Sequence, residues 1–170
     1  MFGTTLIFRL LHILAGIAWM GGVVTLSLFV MPAMRSSGSA GRQVMQYLIT
    51  HTKIAAFFPM LALVTILSGV GLFWRNVSVS AGGWAATPAG MTYSVGGGAA
   101  VVAFLVGGLM IGRSFGELQR IGVVSGAPGQ PSSDHEERVA FLLARVRSGS
   151  RIALTLLIVA AVAMSVGRYV

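Results

Sequence analysis

The sequence predicts an all-α integral membrane protein, an antiparallel bundle of four transmembrane helices with an amphipathic cytoplasmic helix before the fourth span. Three observations carry this. Charged residues make up 9% of the chain and apolar ones 55%, where a soluble domain carries about 25% charge. Mean hydropathy is +0.85. Apolar runs of a length that crosses a bilayer core of about 30 Å occur at about 7–34, 54–75, 91–116 and 150–168. One membrane domain over residues 1–170 is expected, without internal repeats.

Span one is much longer than the apolar stretch of a cleaved signal, and a single Arg precedes it, so it reads as a retained helix. From Leu10 to Met34 its only ionisable residue is His12. Span two carries Pro59 early, where a proline kinks a helix or marks its first turn. Span three sets Gly108, Gly112 and Gly116 at steps of four, with Ser94 and Gly98 extending the lane. Small residues so spaced let backbones approach closely, and packing drives association where lipid offers no hydrophobic gain. Ala18 and Gly22 in span one, and Ala163 and Gly167 in span four, read as similar seams; the span-three face would equally serve another membrane subunit. Span four is the shortest, with Arg151 and Arg168 placed to snorkel at its ends. Before it, GVVSGAPGQPSS (Gly122–Ser133) reads as a turn-rich linker, and Ser133 with Glu136 has capping-box spacing. Val139, Leu142, Leu143 and Val146 follow at helical spacing among Arg138, Arg145 and Arg147. They predict an amphipathic helix of about 134–147, lying on the cytoplasmic surface or capping span four.

Charge sets the orientation. Nine of the 12 Lys and Arg residues fall in the first and third connections, and Arg9, Arg75 and Arg168 fall on the other side. The positive-inside rule then puts both termini outside a bacterial inner membrane. Trp74, Trp84, Tyr93 and Tyr169 match an outer aromatic belt. The net charge of +8 reflects scarce acids rather than a dense basic face, which argues against nucleic acid as a partner. Absent cysteine excludes disulfides and thiolate chemistry. All four acids, Glu117, Asp134, Glu136 and Glu137, lie in the third connection, which argues against proton pumping on buried carboxylates and against a paired-carboxylate hydrolase.

His12 is therefore the residue to explain. Gly16, Trp19 and Met20 follow at offsets that share its face. A histidine facing a bundle interior either clamps a neighbour by a hydrogen bond or ligates a metal or haem iron, and Gly16 would clear space for a flat macrocycle. His51 falls at the far end of span two and His135 in the third connection, so neither joins it. At its own depth the candidate mates are Met164 and Met91, a His/Met pairing that suits haem or copper(I). Both methionines would equally be core filler.

His12, Trp19 and Gly21-Gly22, with Pro32, the Arg after it and Ser68-Gly69, resemble the copper-resistance protein D superfamily. The first helix is also similar to that of the membrane-bound four-helix bacterial protoporphyrinogen oxidase family. The resemblance covers spans one and two, and the rest by hydropathy. It implies a four-helix membrane fold and, from the oxidase family, haem b bound by the histidine matching His12. That family also uses a lysine in a later helix, and span three here has none. The copper-resistance family implies copper movement across the inner membrane. The expectations are thus a haem b protein of redox or porphyrin function with His12 as axial ligand and Trp19 lining the pocket, a copper-handling protein using His12 with Met164 or Met91, or an accessory subunit of a larger membrane complex without a cofactor.

Overall fold

The structure, a computed structural model, describes residues 2–120 and 133–170. It is helical almost from end to end, with no strand among the described residues. Four stretches are long and apolar enough to cross a membrane: Gly3–Ser36, Ile54–Val79, Pro88–Arg120 and Glu136–Val166. The predicted linker at 122–132 and the side chains of Arg42, Ser133 and His135 lie outside the described residues, and with them the Ser133–Glu136 capping box.

The first stretch joins α1 (Phe2–Thr25), a π-helical turn (Leu26–Val30) and α2 (Met31–Ser36). Pro32 accounts for the wide turn: its ring has no N–H to give and crowds the carbonyl four residues back, and an extra residue in the turn relieves both. The chain turns at Gly38, with φ +57°, into α3 (Gly38–His51), a separate helix where the hydropathy gave only a connection. On it the Tyr47 ring stacks on His51 one turn on, centroids 4.8 Å apart. In α4 (Ile54–Val79) Pro59 is accommodated inside the helix rather than in its first turn. A tight turn at Ala81 and Gly82 leads to α5 (Pro88–Val106), which Thr87 caps by accepting the Gly90 N–H at 3.1 Å, with Pro88 in the first position. A second π-helical segment (Gly107–Gly112) continues into α6 (Arg113–Arg120).

The last helix, α7 (Ser133–Val166), is one uninterrupted rod of 34 residues. This corrects the separate surface helix expected at about 134–147. The polar stretch around Arg147 and Arg151 lowers hydropathy, but arginine is a good helix former and nothing there stops the backbone. Leu142 and Val146 are 1% exposed and are buried with Ser114 and Leu118 of α6, so this part of α7 stands against the bundle instead of lying flat.

The helices pack chiefly as two pairs, α1 on α4 and α5 on α7. Along the first, Phe8 meets Gly71, His12 meets Gly69, Gly16 meets Thr65 and Gly22 meets Phe58, so numbers fall along α4 as they rise along α1. Each contact sets a glycine of one helix against a larger residue of the other, which brings the backbones close. Along the second, Gly96 meets Ala163 and Met164, Gly149 meets Met110 and Ile111, and Gly167 meets Tyr93. Trp19 plugs the centre, ringed by Ala62, Ala100, Ala103, Leu157 and Ala160. Gly108, Gly112 and Gly116, expected as a seam, are exposed, and among the described residues a Cβ added at any of them would meet no side chain within 4 Å; the buried lane of α5 is Gly96, Ala100 and Ala103. A four-residue step marks a face, but the phase of the helix decides which face meets its neighbour.

Candidate functional site

A cavity of about 540 Å³ opens between α1, α4 and α5, with Met164 of α7 in its wall. Cofactor pockets run from about 300 to 1,000 Å³. His12 reaches it from α1, and its orientation is set from α4. Nδ1 lies 2.7 Å from the Thr65 carbonyl. A carbonyl only accepts, so Nδ1 carries a proton and donates it there.

The seat for the ring is a short run of α4. Thr65 and Ser68 are buried, and Ser68 Oγ shares its proton between the Val64 carbonyl at 2.5 Å and the Thr65 carbonyl at 3.1 Å. Gly69 presents its bare Cα to the imidazole: a Cβ there would stand 2.7 Å from Cε1 and 3.0 Å from Nδ1. Any side chain at 69 would push the ring off its carbonyl. Among the described residues no protein group bonds Nε2, and the ring lines the cavity. An imidazole with one nitrogen fixed by a backbone carbonyl and the other without a protein partner is the arrangement of a metal-ligating histidine.

Toward one end the wall is aromatic. Phe73 meets Trp84 edge-on at 5.3 Å, and Trp84 stacks on Tyr93 at 5.8 Å. Arg9, one turn before His12, and Arg75 of α4 also line the cavity. Both continue into a smaller cavity of about 420 Å³ bounded by Gly3, Thr5 and Leu6. Arg138 and Glu117, which form an ion pair, line neither cavity.

Sequence reasoning named His12 and Met164, and both line this cavity. Met91 does not; it is 54% exposed on α5. Gly16 faces the Thr65 side chain, where an added Cβ would stand 3.5 Å from Thr65 Cγ2, rather than the free edge of the imidazole. Trp19 belongs to the central core and is not among the cavity residues. The glycine that gives the imidazole room is Gly69, which the sequence offered only within the Ser68-Gly69 pair. Among the described residues no three His, Cys, Asp or Glu side chains converge on a metal-sized site. Compared with known protein families, with curated proteins and with solved structures, the chain matches none.

Proposed function

We propose that this chain is an integral membrane protein of the bacterial inner membrane that binds haem b in the large cavity, where His12 would hold it through Nε2. Insertion is supported by the exposed apolar shell: Ile17 is 66%, Leu67 65% and Phe29 67% exposed, and water does not tolerate such a surface on a monomer. The order of contacts along α1/α4 and α5/α7 supports an antiparallel bundle. Nine basic residues against three support termini on the outer side.

One observation carries the haem reading: His12 is held by the Thr65 carbonyl through Nδ1, and Nε2 has no protein partner among the described residues in a ring that lines a cavity of cofactor size. The resemblance of the first helix to haem-binding relatives of the copper-resistance protein D superfamily points the same way. When bound, such a group supplies one-electron redox chemistry. The chain's own residues do the rest. Thr65 and Gly69 orient the imidazole, and the Phe73, Trp84 and Tyr93 rings give an aromatic wall. Copper(I) is a second reading, favoured by Met164 in the same cavity as His12.

The visible spectrum of the detergent-purified protein, oxidised and dithionite-reduced, tests this. A Soret band that sharpens on reduction, with resolved α and β bands, is expected, and His12→Ala is expected to lose it while remaining monodisperse. A featureless spectrum from cells supplied with haem, or an unchanged one in His12→Ala, would overturn the assignment. Copper retained by the wild type and lost in His12→Ala with Met164→Ala would replace it by the second reading.

A further inference from the structure

The smaller cavity has a chemistry of its own. Its walls are Gly3, Thr5, Leu6, Arg9 and Arg75. Two guanidinium groups bring about ten N–H donors to one space, and they have no acceptor of their own. Neither arginine has an ion-pair partner among the described residues, and all four acids of the chain fall at Glu117 or later. Such a space takes an oxyanion, which guanidinium forks bind with paired hydrogen bonds. Next to it runs an apolar ridge. Leu6, Leu10 and Ile13 are 59%, 50% and 54% exposed, and their offsets of four and seven residues put them on one face of α1. A charged pocket at the end of an exposed apolar ridge fits a molecule with an anionic head and an acyl chain.

We propose that Arg9 and Arg75 bind the phosphodiester of an anionic membrane lipid, with its chain laid along Leu6, Leu10 and Ile13. The site does not depend on haem in the neighbouring cavity. Because both arginines line the two cavities, the headgroup sits at the mouth of the one that holds His12.

Native mass spectrometry of the full chain, with phosphatidylglycerol and phosphatidylcholine of identical acyl chains, reads the site directly. Wild type is expected to retain phosphatidylglycerol in preference. Arg9→Gln with Arg75→Gln is expected to lower that preference by about tenfold or more, as loss of charge-assisted bonds implies. Arg75→Gln alone covers the case in which the double variant does not fold, and is expected to lower it in the same direction. Arg168→Gln, which removes a cation outside both cavities, is expected to leave it unchanged. Equal retention of the two lipids, a preference that survives in Arg75→Gln, or an equal loss in Arg168→Gln would overturn the proposal. Stabilisation by inorganic phosphate with no added effect of phosphatidylglycerol would also overturn it, in favour of a free anion. None of these readouts uses the visible spectrum, so failure here and failure of the haem assignment are separable.

Discussion

The two ends of the bundle solve opposite problems. Where α6 meets the first half of α7, Leu142, Val146, Ser114 and Leu118 leave almost nothing exposed. Two arginines there find partners within the chain: Arg138 Nη2 and Nε donate to one Glu117 oxygen at 2.6 and 2.8 Å, and Arg145 donates to the Leu109 carbonyl at 3.3 Å within the π-helical segment. At the other end the chain keeps a cavity of about 540 Å³, and Nε2 of His12 and the guanidinium groups of Arg9 and Arg75 border it without protein partners among the described residues. Interiors close-pack when nothing prevents them. A chain that packs one end and keeps a cavity at the other, bordered by a histidine nitrogen and two guanidinium groups, points to the open end for binding.

The widest separation is expected from Leu142→Ala. Truncating so buried a leucine should cost about 2–5 kcal/mol, read as a lower unfolding temperature in detergent, while any Soret absorbance of the folded fraction stays as in wild type. A spectrum that changed with the stability would mean that the two ends are not independent.

Gly69→Ala should do the reverse. Its new methyl would crowd the His12 ring from 2.7 Å, and the hydrogen bond to the Thr65 carbonyl should break. One such bond contributes about 1 kcal/mol to stability, so the unfolding temperature should move little. Loss of an orienting partner typically costs about 10- to 100-fold in ligand affinity, so haem titration should show the damage. Wild-type affinity in this variant would mean that the carbonyl does not orient the ligand.

How far each end was legible in the sequence follows from what sets it. The four apolar stretches are a property of composition along the chain, and hydropathy reads them directly. His12 stood out because an ionisable group is costly in such a run, and Met164 could be matched to it by depth alone. Gly69 could not. Its contact with His12 spans 57 positions between two helices, and offsets along α1 pointed to Gly16 instead. For a related reason, spacing alone did not say whether the glycines at 108, 112 and 116 face a helix of this chain or turn outward, where the structure leaves them exposed. The continuity of α7 and the presence of α3 were hidden because both stretches are polar enough to look like connections, although their backbones are free to stay helical.

The smallest effect tests whether the packed end is held by apolar contact or by charge. Arg138 and Glu117 form a close pair, but their side chains are 52% and 38% exposed. An exposed pair yields about 0.2–1 kcal/mol, because solvent screens the attraction and two long side chains must be held still. In a double-mutant cycle, Glu117→Gln and Arg138→Gln should therefore couple by no more than about 1 kcal/mol. The coupling should shrink further at 1 M salt, where the screening length is about 3 Å. The N–H donors of Arg138 would then turn to water at little cost, and Leu142 and Val146 would keep α7 in place. A coupling as large as the loss from Leu142→Ala would reverse this order. It would make the charge pair the clasp of that end, and the contrast between a packed end and a polar, open one would no longer hold.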